Sequence, residues 1–375
     1  MPAAPPSPVQ PVLDQLVAAV DHHRVGSGLL GALAGVPDPR NPRGVRHRVG
    51  TILALGVCAV LAGCRSFTAI GEWAAGASEP LLAALRVEGC IPCESTIRRT
   101  LQRLDGDQFD VVIGSWAAGC TQPTPSRARL IAVDGKRVRG SGGRDVDPRH
   151  LLGAIDHAHG VVLAQREVDG KTNEITEFAP LLDSVVLAGA VVNADAMHAQ
   201  RAHADYLVLE RGAHYLLTVK GNQPGLYAQL KALPWADVPV AHTHTGRAHG
   251  RVEKRSVKAV TVDTGIVLPH ARQAIQVIRR TRRLDGAKWS TEIAYAVTDL
   301  PAEQAQPADL ASWIRGHWCV ENRLHWVRDV TYDEDRSQIR TGNGPRAMSS
   351  LRNLALSMLR LHGATNIAQA LRHSA

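Results

Sequence analysis

The sequence has no apolar run long enough to cross a membrane. Its longest uncharged stretch is VGTILALGVCAVLAGC, residues 49–64, whereas a membrane-spanning helix needs about 20 apolar residues. The opening residues, MPAAPPSPVQP, also lack the basic start and the apolar segment of a secretory signal peptide. We therefore predict that residues 49–64 form a buried helix and that the protein is cytoplasmic.

Cysteine is too sparse for a scaffold held together by disulfides, with six in 375 residues. Without an export signal, the thiols are expected in a reducing compartment. Cys90 and Cys93 form one CxxC motif, but no second pair follows at the spacing of a zinc finger. Internal repeats and low-complexity arrays are absent as well, so repeat architectures are excluded.

Acidic residues are fewer than basic ones, at 35 against 43, which gives a formal net charge of +8. This surplus favours a polyanionic partner such as nucleic acid, although a solvated basic surface is also compatible with it. Hydrophobic residues make up 45% of the chain and charged residues 21%. These values are typical of a globular protein, and the length allows two or three domains.

The composition and the hydrophobic periodicity of the sequence change several times along the chain. Residues 1–26 are predicted to be a flexible tail and residues 27–125 a helical region, in which Ser95 or Thr96 caps a basic helix. TQPTPSRA, residues 121–128, has the composition of a linker. Residues 126–221 alternate strands and helices, residues 222–307 contain antiparallel strands, and residues 308–375 are again helical. The pattern predicts an α/β fold behind an all-helical N-terminal domain.

Two aspartates lie where a buried strand would normally exclude charge. Asp134 stands inside LIAVDGK, and Asp195 ends the run AVVNAD. Charges in such positions are costly unless they are paired or bind a metal. Two acids at the ends of separate strands therefore favour a cation site at the edge of the sheet. The alternatives are a turn role for Asp134 and a helix N-cap role for Asp195.

A third acid, Glu321, lies in RGHWCVENRLHW between two His-Trp pairs. On a helical wheel of about 100° per residue it falls on the apolar side, which predicts an inward-facing carboxylate. His317, Glu321 and His325 are spaced so that they could instead bind zinc on one helix. Two further carboxylates from the sheet favour magnesium or manganese over zinc.

Together these motifs resemble those of bacterial insertion-sequence DDE transposases, in particular the group with an H-repeat-associated N-terminal region. The resemblance extends from about residue 36 to residue 335 and continues through RNLALSMLR, so it covers nearly the whole chain. The matching segments are VPDPRNPRGVRHRVGTILALGVCAVLAG, AIGEWA, STIRRTLQRLD, IAVDGKRVRGS, KTNEITEFAPLLD, VVNADAMHAQ, YLLTVKGNQP, HGRVEKR and HWCVENRLHWVRDVTYDED.

The resemblance implies an RNase H-like catalytic core with a β-rich insertion, preceded by a helical DNA-binding region. It assigns the catalytic, metal-binding triad to Asp134, Asp195 and Glu321, with Mg²⁺ or Mn²⁺ as cofactor. The implied reaction is metal-dependent cleavage and transfer of DNA strands. The implied partners are double-stranded DNA, both terminal repeats and target, and a second copy of the chain in a synaptic complex. Such a protein is expected to associate with the nucleoid.

Basic residues spread over several segments are candidates for DNA contacts, although basic stretches are often only solvated surface. Related transposases carry an Arg and a Lys near the catalytic Glu, and this chain has His317 and Arg328 at those positions. The full set of predicted contacts is Arg40, Arg43, Arg46, Arg98, Arg99, Lys136, Lys220, Arg251, His317, His325 and Arg328.

Three other interpretations stay open at the level of sequence. A DNA-binding regulator without catalysis would use the same basic residues but leaves the three acids unexplained. A metal-dependent nuclease that lacks strand transfer needs the same carboxylates. An inactive relic of a transposase would be expected to have lost one of the acids, and all three are present.

Overall fold

The computed structural model describes residues 28–121, 128–144, 146–170, 173–248, 250–286 and 288–374. The predicted tail and most of the predicted linker lie outside these ranges. The chain forms two compact units, each assembled from non-consecutive segments. Within the described residues, unit 1 comprises 28–121, 135–185 and 321–374, and unit 2 comprises 128–134 and 186–320.

Unit 1 begins with helices, as the sequence predicts. These are α1 (Leu29–Ala34), α2 (Val49–Leu61), α3 (Phe67–Ala75), α4 (Glu79–Ala84), α5 (Glu94–Arg103) and α6 (Gly106–Cys120). The side chains of Ser66 and Asp105 cap α3 and α6 by accepting backbone N–H groups of the first turn. Helix α2 is buried along almost its whole length, which confirms the predicted buried helix for residues 49–61, and residues 62–64 lie beyond its end. No helix among the described residues is long and apolar enough to span a membrane.

The remainder of unit 1 contains a hairpin and the last part of the chain. Strands β2 (Arg149–Asp156) and β3 (Val161–Val168) pair antiparallel, and α7 (Glu174–Leu182) follows them. After Val320 come two π-helical turns (Glu321–His325 and Val327–Thr331) and a 3-10 turn (Glu334–Arg336). Helices α11 (Gly344–Leu361) and α12 (Ile367–Ser374) end the unit, and α11 is buried from Gly344 to Leu359.

Unit 2 is built around a large mixed sheet. Strand β1 (Leu130–Val138), whose first five residues belong to this unit, pairs in parallel with β4 (Val191–Ala194), and β4 pairs in parallel with β5 (His214–Val219). The antiparallel strands β9 (Ser290–Thr298), β8 (Gln273–Arg283), β7 (Arg251–Thr261) and β6 (His242–Ala248) continue the sheet in that order from β5. Its helices are α8 (Arg201–Asp205), which continues as a π-helical turn (Tyr206–Glu210), α9 (Pro224–Ala232) and α10 (Pro307–Val320).

Helix α10 covers one face of this sheet. Leu310 and Trp313 of the helix pack against Val191, Leu216 and Ile275 of the strands in one buried cluster. On the opposite face, the ring of Tyr295 contacts Tyr227 of α9 at 5.4 Å and Trp235 at 6.0 Å between centroids. The inner half of the sheet is therefore buried on both faces.

The mixed α/β class, the N-terminal helices and the order of elements from β1 to β5 agree with the prediction. The sequence did not reveal β6, because HTHTGRA has no alternation of apolar and polar residues. The capping prediction was wrong by two to three residues. Helix α5 begins at Glu94 with Cys93 at its N-cap, so Ser95 and Thr96 lie inside the first turn.

Candidate active site

Asp134 and Asp195 occupy matching positions on neighbouring parallel strands of unit 2. The register pairs Val133 of β1 with Ala194 of β4, and each aspartate is the next residue of its chain. Both side chains are half-buried. Parallel pairing therefore brings two of the three predicted acids to one edge of the sheet, since residues that follow a register pair stay adjacent.

The structure excludes the turn role predicted as an alternative for Asp134 and confirms the N-cap role predicted for Asp195. Strand β1 continues to Val138, so Asp134 lies within the strand and is not a turn residue. Asp195 does cap the 3-10 turn that follows β4, because its Oδ1 accepts the backbone N–H of Met197 at 2.9 Å. Capping uses one oxygen of this carboxylate and fixes its orientation at the end of the strand.

Helix α10 is held on β4 immediately before the third acid. The side chain of Asn193 donates from Nδ2 to the backbone oxygen of Trp313 at 2.8 Å, and this buried bond ties the helix to the strand that ends at Asp195. Trp313 and Val320 are 9% and 1% exposed. Glu321 is the residue that follows Val320, so its backbone position is set by the end of a packed helix.

The Glu321 side chain does not face inward as the helical wheel predicted. It is 64% exposed. Residues 321–325 form a π-helical turn, whose i→i+5 hydrogen bonds hold more residues per turn than an α-helix. A wheel drawn at the α-helical spacing is wrong for Glu321, although Leu324, His325 and Arg328 are buried as it predicts. The carboxylate is therefore open to solvent.

His325 contacts Glu321 from the next turn. Its Nδ1 lies 3.4 Å from Glu321 Oε2, and the imidazole is almost buried. The hydrogen bond with His325 lowers the pKa of Glu321, and the charge of Lys136 acts in the same direction against the effect of partial burial. The carboxylate is thereby kept ionised, as a metal ligand requires. His325 is thus turned towards an acid and not towards solvent, contrary to its predicted role as a DNA contact.

Lys136 is also buried, so the prediction that it meets a DNA phosphate was wrong. Its side chain is only 7% exposed, its Nζ forms a short ion pair with Asp329, and it lies 3.8 Å from Asp335. Burial raises the pKa of Asp329 and nearby acids add to this effect, while Lys136 opposes it. The ammonium group therefore lies among the acids of unit 1, next to Asp329 and Asp335.

Arg328 has a structural role that the sequence did not suggest. The side chain is 2% exposed, and its guanidinium donates to Glu334 at 2.8 Å, to Ser349 at 2.6 Å and to Gln165 at 3.3 Å. Glu334 is completely buried and also accepts a hydrogen bond from Arg352 at 2.9 Å. The prediction that Arg328 contacts DNA was wrong, because a buried guanidinium whose donors are taken cannot reach a phosphate.

A second buried polar group links α6 to α11. Asp110 accepts hydrogen bonds from Arg346 at 3.0 Å and from Ser350 at 2.5 Å, and all three residues are nearly inaccessible. Burial raises the pKa of Asp110 to about 6, although Arg346 opposes the effect. The signal in the sequence was RAMSSLRNLALS, where Arg, Ser and Asn recur among apolar residues on what proves to be a buried helix.

The remaining predicted DNA contacts differ in accessibility. Arg40 donates hydrogen bonds to Asp38 at 2.6 Å and to the backbone oxygen of His47 at 2.5 Å, and its side chain is only 13% exposed. Arg98 pairs with Glu94 at 2.9 Å and is partly exposed. His317 is half-buried. The residues of the set that are exposed are Arg43, Arg46, Arg99, Lys220 and Arg251.

Comparison with known proteins identifies the family to which this chain belongs. Residues 125–358 match the family described as transposase DDE domain, and residues 30–117 match the domain described as DDE_Tnp_1-associated. The chain belongs to the DDE transposase family. The resemblance noted in the sequence is thereby confirmed, and membership implies a polynucleotidyl transferase that uses a divalent metal.

Relatives in Escherichia coli match over most of their length. The chain is 31% identical over 352 residues to the protein named "Putative transposase YncI" of strain O157:H7, covering 88% of this chain and 87% of the relative. It is 28% identical over 347 residues to the K12 protein named "H repeat-associated putative transposase YhhI", covering 88% and 90%. A solved piggyBac transposase synaptic complex with hairpin DNA covers 96% of this chain at 12% identity, with a TM-score of 0.44.

Proposed function

We propose that the protein is the transposase of an insertion sequence and that it cleaves and transfers DNA strands with Asp134, Asp195 and Glu321. The observation that carries this proposal is the register that sets Asp134 beside Asp195 on parallel strands. Helix α10, tied to the same strand β4, ends one residue before Glu321. The parallel strands β1, β4 and β5, with the antiparallel β2–β3 hairpin inserted after β1, support a core of the RNase H-like type.

The side chains available fit a divalent metal. Asp134, Asp195 and Glu321 offer hard carboxylate oxygens, which suit Mg²⁺ or Mn²⁺. Within unit 1, the imidazole of His325 beside Glu321 offers a further donor atom. When bound, the metal would supply Lewis acidity, both to the attacking hydroxyl group and to the leaving 3′-oxygen.

The protein's own residues would position and tune this site. The cap on Met197 N fixes one oxygen of Asp195. His325 keeps Glu321 ionised through its hydrogen bond. Phosphoryl transfer needs positioning and charge neutralisation more than a nucleophilic side chain, so a DNA 3′-hydroxyl released by the first cleavage can serve as the next attacking group.

The proposed partners follow from this chemistry. Double-stranded DNA is the substrate, as the terminal repeats of the element and as the target, within the nucleoid of the bacterial cytoplasm. Two ends must be cut and joined, which favours a homodimer in the synaptic complex.

The test is a cleavage assay with Asp134→Asn, Asp195→Asn and Glu321→Gln proteins, Mg²⁺ and DNA carrying the element ends. We expect each variant to lose more than about 100-fold in cleavage rate while its DNA affinity in EDTA stays unchanged, because losing a direct metal ligand costs at least as much as losing its support. Asp263→Asn, which removes an exposed acid from a turn of unit 2, serves as the matched control and should keep full activity.

Two outcomes would replace the proposal by its rivals. Cleavage without joining to a target plasmid would indicate a nuclease. Wild-type binding to element ends, without cleavage under any divalent metal tried, would indicate a DNA-binding regulator.

A further inference from the structure

The outer half of strands β6–β9 has two chemically different faces. In antiparallel pairs, directly opposite residues lie on the same face. The register sets Lys254 opposite Arg280, and Val252 opposite both Arg247 and Arg282. These four basic residues therefore share one face, which we call the cationic face, and all four are exposed.

Trp289 completes the cationic face. Its ring, 37% exposed, lies 5.5 Å from the guanidinium carbon of Arg280 and 5.1 Å from that of Arg282. Contacts between a cation and an aromatic ring contribute about 0.5–1 kcal/mol at exposed sites. The ring therefore restrains two guanidiniums that would otherwise be mobile at the end of the sheet.

The opposite face of the same strands carries acids that pair with some of its arginines. Glu253 pairs with Arg255 at 2.6 Å and with Arg279 at 2.7 Å, and Glu292 lies 3.5 Å from Arg279. Within the described residues of these four strands, Glu253 and Glu292 are the only acids, and the register assigns both to this opposite face. The four arginines of the opposite face, Arg251, Arg255, Arg279 and Arg283, are thus balanced in part by two acids, whereas no strand residue of the cationic face is acidic.

The cationic face is unfavourable for the isolated protein. Like charges directly opposite each other on neighbouring strands destabilise the pair, and Lys254 faces Arg280 in this way. Nearer the core, the same side is covered by Tyr227 and Trp235 packed on Tyr295. The exposed basic part is thus the outer end of the strands, where an extended polyanion can lie along it.

We propose that the cationic face binds the phosphate backbone of double-stranded DNA. The proposal rests on the proposed function and adds to it the surface that holds the substrate. Guanidiniums match phosphate geometry with paired donors, and a row of four unneutralised cations matches the regular charge of a duplex. The sequence prediction had placed a DNA contact at Arg251, which the register assigns to the opposite face.

The test measures binding of a labelled duplex by fluorescence anisotropy in EDTA over a series of NaCl concentrations. For the Arg280→Ala/Arg282→Ala protein, we expect the slope of log affinity against log salt to fall by about 1.8, since each lost phosphate contact removes about 0.9. Two lost contacts correspond to about 60-fold weaker binding at 0.1 M salt by the same relation.

Arg283→Ala is the matched control. Arg283 is the next residue of β8, is 78% exposed in its side chain and pairs with Asp285 at 2.8 Å, but it belongs to the opposite face. We expect its salt slope to be unchanged. The Arg280→Lys/Arg282→Lys protein should keep most of the wild-type slope, because it keeps the charge. Equal losses in Arg282→Ala and Arg283→Ala would overturn the inference, as would wild-type binding to polyglutamate as tight as binding to DNA.

The assay separates this inference from the proposed function. Binding is measured without metal, so a wild-type protein that binds DNA through the cationic face but cleaves nothing in Mg²⁺ contradicts only the catalytic proposal. A protein that cleaves normally and shows no difference between the two double variants and wild type contradicts only the inference.

Discussion

Replacing Glu334 by Gln tests whether the buried ion network is the main support of the C-terminal part of unit 1. The carboxylate is 0% exposed and lies between Arg328 at 2.7 Å and Arg352 at 2.9 Å, which are 2% and 1% exposed. Gln keeps the size and one acceptor oxygen. The substitution therefore removes the charge and leaves two buried guanidiniums without an acid between them.

The expected cost follows from the burial of the ion pairs. Removing one partner of a buried ion pair destabilises a protein by about 3–5 kcal/mol. Burial alone would raise the pKa of Glu334, yet Arg328 and Arg352 outweigh it and lower the pKa from 4.5 to about 2. This fall corresponds to about 3 kcal/mol of stability by linkage.

The assay is urea unfolding followed by far-UV circular dichroism, for wild type, Glu334→Gln and the control Asp333→Asn. Asp333 is the preceding residue, lies 3.7 Å from Arg65 with its side chain 32% exposed, and has a backbone φ of 54°, which Asn tolerates. We expect the control to change the free energy of unfolding by less than about 0.5 kcal/mol.

The effect of Glu334→Gln should also depend on pH in a defined direction. The folded pKa is lowered, so the contribution of the carboxylate is complete above pH 4.5 and is lost as the pH falls towards 2. The difference between variant and wild type should thus be constant from pH 8 to pH 5 and shrink below that. A loss smaller than about 1 kcal/mol at pH 7, or one as large in Asp333→Asn, would refute the account of the network.

Three further predictions concern other parts of the protein. Gly114→Ala should destabilise by about 1–3 kcal/mol in urea unfolding, because its Cβ would lie 2.0 Å from a backbone oxygen of β3, whereas Gly119→Ala on the same helix meets nothing within 4 Å and should not. Iodoacetamide at pH 7, followed by peptide mass spectrometry, should label Cys93 before Cys58. Hydrogen bonds from neighbouring hydroxyls lower the pKa of Cys93 to about 7, whereas burial raises the pKa of Cys58 to about 12. Equal labelling of the two thiols would contradict this prediction. The hydrogen bond to the buried Asp299 raises the pKa of His214, so the stability contributed by this pair is complete below pH 6.5 and declines as the pH rises through the raised pKa. The loss of unfolding free energy in His214→Gln should therefore be larger at pH 5.5 than at pH 9. An equal loss at both pH values would argue against the pair.

The sequence predicted the strands that carry Asp134 and Asp195, because apolar runs are local signals. LIAVDGK and AVVNAD each carry an acid directly after or close to an apolar run, and the parallel register then makes Asp134 and Asp195 neighbours. The helical wheel was wrong for Glu321, because nothing in ENRLH announces a π-helical turn. Backbone hydrogen bonding beyond Val320, and not residue type, decides which way that side chain points.

Buried charge was the second source of error. Lys136 and Arg328 were predicted to contact DNA because basic residues near catalytic acids often do. Their partners, Asp329 and Glu334, lie in a stretch whose polar composition is typical of exposed surface. A sequence gives the number of charges in such a stretch, whereas only the packing of α11 shows that they are removed from solvent.

The role of α11 has a consequence for shortened copies of the gene. Arg346 and Ser350 of this helix hold Asp110 of α6, and Leu351 lies against Gly56 in the middle of α2. A reading frame interrupted before residue 344 would leave the N-terminal helices with an exposed apolar groove and an orphaned buried acid. Such fragments are expected to be cleared by proteolysis, so they would not accumulate beside the intact protein.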